Sequence, residues 1–473
     1  MLTYSFEGRN GESLYSYLYK CIRNDILTGV LKPGSRLPSK RSFADHLGVS
    51  VVTVENAYSQ LQSEGFLYSV PKRGFYVSYI QASRPKLNSD QNQCRQSFYS
   101  PPSYTPPTES NIRINLFSNR IAAENFPFSL WAKLMRETLS QNQSALMEPS
   151  PSAGIPELRQ AIAKHLHDFR NMEVNADQII IGAGTEYLYS LLIQLLGYDK
   201  TYAVEFPGYQ KLTHIYECHK TACVNIPIDE AGIIISKLNA AQADVVHLSP
   251  SHHYPTGIVT PISRRYELLA WANQEPERYI IEDDYDSEFR LSGKPIPTLQ
   301  GIDSSERVIY MNTFTKTLSP TIRISYMVLP DHLLKKFNKN MGFYSCTVSN
   351  FEQYTLAKFV DQGYFERHIN RMRTHYRQIR DRFISAIKES PLKNRVQISN
   401  ADSGLHFLLK VKTSISDEAL LHRAEAHGLG ILCLSQFNHK ELVCPQNILI
   451  ISYAGLNSEE IPMAVQLLTE CLE

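Results

Sequence analysis

Asn312-Thr-Phe-Thr-Lys316-Thr-Leu-Ser-Pro320 stands directly behind the apolar run Arg307 to Met311 and just ahead of Arg323. A lysine among small hydroxyl residues at a strand end is either a surface residue or a Schiff-base lysine, and its spacing alone does not separate the two. Its company does. Ile280-Ile-Glu-Asp283-Asp-Tyr285 ends another β-rich run. That places an acid where it can pair with a protonated ring nitrogen and, two residues on, a phenol where it can reach a ring hydroxyl. Upstream, Gly182-Ala-Gly-Thr185 closes one strand and opens a helix, whose N–H groups and dipole suit a phosphate or carboxylate. Taken alone, that glycine turn is a common structural feature.

Around these stretches, the runs Gln178 to Ile181, Thr201 to Glu205, Asp244 to Ser249, Tyr279 to Asp283 and Arg307 to Met311 are separated by helix-length segments. This alternation predicts an α/β domain with a mostly parallel sheet. A charged helical stretch from about Glu352 to Glu389 leads into a smaller α/β subdomain, about residues 346–473. Of the 473 residues, 43% are hydrophobic and 20% charged, a balance that excludes a disordered chain. The eight cysteines lie far apart with no CxxC pair, which predicts reduced thiols. Met1 to Asn10 carry no signal pattern, and the apolar stretch around Tyr187 to Tyr198 is too short to span a bilayer. The expected location is therefore cytoplasmic, with no membrane partner.

Net charge is only +1, so any nucleic-acid surface must be local. Residues 1–80 carry nine basic and six acidic side chains and hold the positive excess. Leu14, Tyr17, Leu18, Ile22, Ile26 and Leu27 follow helical spacing up to Gly29. A second helix runs from the N-cap Ser39 through Leu47, and a third from the N-cap Ser50 to about Gln62, with Gly48-Val49 as the tight turn between them. Two short helices joined in this way describe a helix-turn-helix. Val51, Val52, Thr53 and Asn56 are then the base-edge candidates. Lys40, Arg41 and the Lys72-Arg73-Gly74 turn before the strand Phe75 to Val77 supply phosphate contacts. Residues 81–112, rich in Pro, Ser, Asn and Gln, read as a linker, which leaves 113–473 for the large domain.

The run from Leu31 through Arg41, then Ala44, Leu47-Gly-Val-Ser50, Thr53-Val54, Ala57-Tyr58, Leu61 and Glu64-Gly65, closely resembles the winged-helix module of GntR-type transcription regulators. The resemblance adds Ser50 and Tyr58 to the candidate DNA contacts. That family often carries Arg directly after Val-Ser, where this chain has Val51, so base readout is expected to be less electrostatic. The large domain resembles fold-type I aminotransferases through Gly154-Ile-Pro-Glu-Leu-Arg159, Gly184-Thr185, Glu205-Phe-Pro-Gly-Tyr209, Ser249 to Gly257, Glu282 to Tyr285 and Thr313 to Lys316. In this order the two modules look like the MocR subfamily, and within it most like the PdxR-type regulators of vitamin B6 synthesis.

The resemblance implies that Lys316 forms a Schiff base with pyridoxal 5′-phosphate, Asp283 holds the pyridinium nitrogen, Tyr285 bonds the ring oxygen and Tyr209 stacks on the ring. Gly184, Thr185 and Glu186 through backbone N–H, with Thr313, Thr315 and Arg323, would cradle the phosphate. His252 and His253 would lie beside the cofactor, or serve only as structural histidines. It further implies a domain-swapped, head-to-tail homodimer that reads double-stranded DNA with two half-sites. The late-strand run Asn447 to Tyr453 has no basic residue to clamp a substrate carboxylate, and Lys211 stands where GABA-responsive members carry an arginine. The expected signal is therefore the cofactor itself. The rivals are a GABA- or amino-acid-responsive regulator and an aminotransferase with residual activity. His214, Cys218, His219 and Cys223 include no CxxC pair and no residues placed to orient a metal's ligands, and no metal is expected. The basic run Arg367 to Arg382 reads as a solvated helix face.

Overall fold

Helical spacing and serine caps shape the start of the chain in a computed structural model. It describes residues 2–6, 11–79, 112–117, 122–291, 296–402 and 404–473. All of the expected linker except residue 112 lies outside them. The chain divides into two units, Met1–Pro106 and Pro107–Glu473. In the first, α1 (Leu14–Thr28) buries Leu18, Tyr19, Ile22 and Ile26 on one face. Ser39 and Ser50 cap α2 (Lys40–Leu47) and α3 (Val51–Ser63), their side chains accepting from the Ser42 and Thr53 N–H groups. Gly48, at φ +65°, takes the left-handed turn between them. α3 buries Val54, Ala57, Tyr58 and Leu61 in a core shared with Leu18, Ile22 and Phe43. β1 (Leu67–Val70) and β2 (Gly74–Val77) form an antiparallel hairpin that completes the wing. β1 was not among the sequence expectations, because Tyr68 and Ser69 are both exposed and break strict alternation.

In the second unit, the strands are β3 (Ile114–Asn115), β4 (Ile179–Gly182), β5 (Thr201–Phe206), β6 (Ala222–Asp229), β7 (Gly232–Ile233), β8 (Val245–Leu248), β9 (Tyr279–Asp283), β10 (Val308–Thr313) and β11 (Ser325–Val328). Eight of them form one sheet in the order β4-β11-β10-β9-β8-β5-β6-β7. The neighbours from β10 through β6 are parallel, while β11 runs antiparallel to both β10 and β4. Successive residues face opposite layers: in β9, Ile280 packs with Trp271 and Leu268, and Ile281 with Leu192 and Met327. Burial on both faces is why these strands read as continuous apolar runs rather than alternating ones.

A second sheet follows, from β12 (Val396–Ser399), β13 (His406–Val411), β15 (Leu432–Cys433) and β16 (Ile448–Ser452), in the order β12-β13-β16-β15. β14 (Leu429–Gly430) pairs in parallel with β3. The helical stretch expected from Glu352 to Glu389 is two helices, Asn350–Asp361 and Tyr364–Glu389, divided at Gly363, whose φ of +71° ends the first. The basic run is a largely solvated face, with Arg367, Arg371, Arg377 and Arg382 exposed, but three of its arginines also reach backbone carbonyls. Arg373 donates to the Glu288 carbonyl at 2.7 Å, Arg377 to that of Leu291 at 2.6 Å and Arg380 to that of Ala401 at 3.0 Å. They tie the long helix to loops at the ends of other elements. Among the described residues, no helix is long and apolar enough to cross a membrane.

Candidate cofactor cavity and nucleic-acid surface

A cavity of about 190 Å³ opens at the C-terminal ends of β5, β8, β9 and β10, the edge where parallel sheets place their ligand sites. Asp283, the last residue of β9, lines it. Its Oδ2 accepts from the Tyr189 hydroxyl at 2.6 Å and lies 3.6 Å from His247 Nε2, while Oδ1 is buried with no hydrogen-bond partner among the described residues. Asp284 belongs to the opposite side. Its Oδ2 meets Arg170 Nη2 at 2.5 Å and the Tyr310 hydroxyl at 2.8 Å, which makes it part of a buried ion pair. Strand alternation thus divides the acid doublet into one cavity residue and one structural residue.

Lys316 lines the same cavity, and burial pushes its ammonium below the usual lysine range, partly opposed by the nearby Asp286 carboxylate. A lysine eased toward its neutral amine is prepared to attack a carbonyl. The phenol of Tyr285 is 3.2 Å from His252 Nδ1, and burial raises it well above the ordinary tyrosine range, so it stays protonated. Thr313 and Thr315 form a hydroxyl chain: Ser325 Oγ lies 2.7 Å from Thr313 Oγ1, which lies 2.9 Å from Thr315 Oγ1. Tyr209 is 48% exposed, with its ring edge-on to Tyr254.

Gly184, at φ +91°, precedes the helix Thr185–Leu196. A Cβ there would lie 2.3 Å from Arg323 Nη2, so only glycine lets the guanidinium cross the start of this helix. Arg323 meets Glu186 Oε2 at 3.1 Å, and the other oxygen of Glu186 pairs with Lys211. Thr185 at the helix start, the Arg323 guanidinium, the Asp283 carboxylate, the Lys316 amine and the Tyr285 phenol all line this one cavity. This donor set fits a phosphorylated pyridine aldehyde.

Four residues were not foreseen. Tyr189 and His247 contact Asp283, and Arg170 secures Asp284; each acts through a partner distant in sequence. Glu205 stood within a quoted run without an assigned role. Its Oε2 accepts from the Ser249 N–H at 2.9 Å, and burial pushes its carboxyl up to about 8. His253 also lines the cavity, bonded to Thr256 Oγ1 at 2.7 Å, and burial holds it down to about 3, hence neutral. His252 borders a neighbouring small cavity with Arg170 and Asp286 instead. His214 pairs loosely with Glu217, and His219 bonds Ser190 Oγ at 3.0 Å. Among the described residues, no group of three or more His, Cys, Asp or Glu is arranged to hold a metal ion.

On the first unit, Val51, Val52 and Asn56 are exposed on α3, and Arg41, Lys72 and Arg73 are exposed around it and at the hairpin turn. Gly74, at φ +112°, packs under Arg36. Ser50 and Thr53 share a 2.8 Å hydroxyl contact within the cap. Lys40 pairs with Glu55 at 2.6 Å and lies over the Phe75 ring. Tyr58 must be corrected: it is fully buried, and its hydroxyl donates to the Pro38 carbonyl, so it belongs to the core and not to a DNA surface. Its spacing from Val54 and Leu61 is that of one apolar helix face.

Comparison with known families and proteins agrees with this division. The family "Bacterial regulatory proteins, gntR family" matches residues 14–77, and "Aminotransferase class I and II" matches residues 111–468. The uncharacterized HTH-type transcriptional regulator YdeL of Bacillus subtilis is 38% identical, with 95% of this chain and 94% of that protein covered. The probable rhizopine catabolism regulatory protein MocR of Rhizobium meliloti is 31% identical over 94% of this chain and 90% of its own length. The pyridoxine biosynthesis regulator PdxR of Corynebacterium glutamicum is 28% identical over 90% and 89%. Among solved structures, kynurenine aminotransferase of Pyrococcus horikoshii, determined in complex with PMP, shares the fold with a TM-score of 0.66 at 22% identity, covering 83% of this chain and 96% of that one. With a winged helix ahead of an aminotransferase-type sheet, this chain belongs to the MocR subfamily of GntR regulators and is a DNA-binding transcription regulator with an aminotransferase-like domain.

Proposed function

We propose that this regulator binds pyridoxal 5′-phosphate in the cavity at Lys316, and that occupancy sets its affinity for DNA upstream of vitamin B6 synthesis genes. The observation that carries the reading is that Lys316, Asp283, Tyr285 and Arg323 line one cavity. When bound, the cofactor supplies an aldehyde able to condense with an amine. Lys316 offers that amine, desolvated so that losing its proton is easier. Asp283 orients the ring through its free oxygen, and Tyr285 donates to the ring oxygen. Tyr209 covers the ring face. Backbone N–H groups at Gly184, Thr185 and Glu186, with Thr313, Thr315 and Arg323, hold the phosphate. For the guanidinium to do so, Glu186 must share it or release it.

The similarity to PdxR supports the cofactor as the signal, and so does the late strand. β16 presents Leu449, Ile450 and Ile451 to apolar clusters, with no basic side chain of its own for a carboxylate. Lys211, at the other candidate position, is engaged by Glu186. The protein acts as a head-to-tail homodimer whose two reading heads engage an operator of two half-sites. Val51, Val52, Thr53 and Asn56 read bases, while Lys40, Arg41, Ser50 and the Lys72-Arg73-Gly74 turn contact phosphates. Cofactor binding biases one arrangement of the dimer, and DNA affinity changes through that differential binding.

The test is a visible-absorption titration of the full-length apo protein, first with pyridoxal 5′-phosphate, then with γ-aminobutyrate and a panel of amino acids. A band that forms with the cofactor and resists every amino acid is expected. A band that one amino acid shifts or abolishes would assign that compound as effector or substrate and overturn the cofactor-only reading.

A further inference from the structure

Asp283 is gripped in a way that its cavity role leaves unexplained. Tyr189, only 2% exposed, lies one turn into the helix Thr185–Leu196, and its hydroxyl donates to Asp283 Oδ2 at 2.6 Å. His247 Nε2 approaches the same oxygen at 3.6 Å, beyond hydrogen-bond length, and its Nδ1 lies 2.9 Å from the Tyr216 hydroxyl. Both neighbours therefore address Oδ2, which leaves Oδ1 as the free acceptor on a residue that lines the cavity. A phenylalanine would fill the space of Tyr189 equally well. The hydroxyl adds one directed bond to a carboxylate, and burying it without that bond would be costly.

The placement of Tyr189 matters as much as its bond. The first turn of its helix, from Gly184, is the cradle assigned to the phosphate, so a single rigid element fixes both that cradle and the acid. We propose that Tyr189 is a positioning residue for the cofactor's ring nitrogen, holding Asp283 Oδ2 so that Oδ1 alone meets the ring N–H. This rests on the pyridoxal 5′-phosphate reading given above.

The experiment compares wild type with Tyr189→Phe as full-length apo proteins, each titrated with pyridoxal 5′-phosphate and with its deaza analogue, in which C–H replaces the ring nitrogen. The variant should bind the natural cofactor about tenfold more weakly, the scale of one hydrogen bond to a charged group. It should bind the deaza analogue like wild type, and the apo variant should stay folded, with a melting temperature lowered only by the buried donor that Asp283 loses. In an Asp283→Asn background, Tyr189→Phe should cost nothing further, because the two residues act through one contact. Unchanged affinity for the natural cofactor, or an equal loss with both ligands, would overturn the assignment, the second outcome marking a packing role. A wild-type protein that takes neither ligand would overturn the cofactor reading and this inference with it. Wild-type binding beside an unaffected variant would overturn this inference alone.

Discussion

On α3, the candidate base-reading side chains Val51, Val52 and Asn56 stand exposed on the helix. In the cavity, Asp283, Tyr285 and Thr313 are each held by a side chain from another element, namely Tyr189, His252 and Ser325. A reading head gains by presenting independent groups to a partner that supplies the complementary ones. A cofactor site must instead set its groups against one another before the ligand arrives, since geometry lost to flexibility is paid in affinity. Substitutions should therefore be nearly additive on the first surface and strongly coupled in the second.

The largest effect is expected at Lys316. Lys316→Ala should abolish the cofactor's covalent absorption band while the winged helix keeps its fold, measured by absorption and circular dichroism; loss of both would mean that the two regions do not divide the work. Arg170→Ala comes next, because it strands Asp284 as a buried carboxylate. A loss of about 3–5 kcal/mol in unfolding free energy is expected, and an unchanged denaturant midpoint would remove the case for mutual constraint behind the cavity. Arg41→Ala should weaken DNA binding and lower the salt slope by about one, leaving cofactor affinity untouched. Combined with Val52→Ala, its cost should add.

The smallest effect concerns Glu205. Its carboxyl, pushed up to about 8, keeps its proton in the folded protein over a range where the unfolded chain has released it. This group therefore favours the unfolded state increasingly as pH rises from the ordinary carboxyl range toward about 8. Glu205→Gln should flatten that decline, so thermal melts of wild type and variant should diverge on the alkaline side. Parallel melts across the range would remove the buried proton from the account.

Much of both regions was legible because the signals were local. Ser39, Gly48 and Ser50 mark their helices through chemistry within three residues, and the strands ending at Asp283 and Thr313 declare themselves by apolar runs. Tyr58 was misread because its motif company outweighed its spacing: Val54, Tyr58 and Leu61 lie on one buried face. The second helix beyond Gly363 was missed because a glycine inside a charged helical pattern does not announce a left-handed residue. Tyr189 and Arg170 stayed silent for a different reason. Their partners lie 94 and 114 residues away, and no periodicity encodes a contact made only when the sheet assembles.

On the proposed reading, one ligand in the buried region governs the exposed one. The most direct test of this is the DNA affinity of the full-length protein for its own operator, at fixed salt, with and without pyridoxal 5′-phosphate, for wild type and Lys316→Ala. The cofactor should change wild-type affinity and leave Lys316→Ala far less responsive. Equal wild-type affinity with and without the cofactor would contradict it.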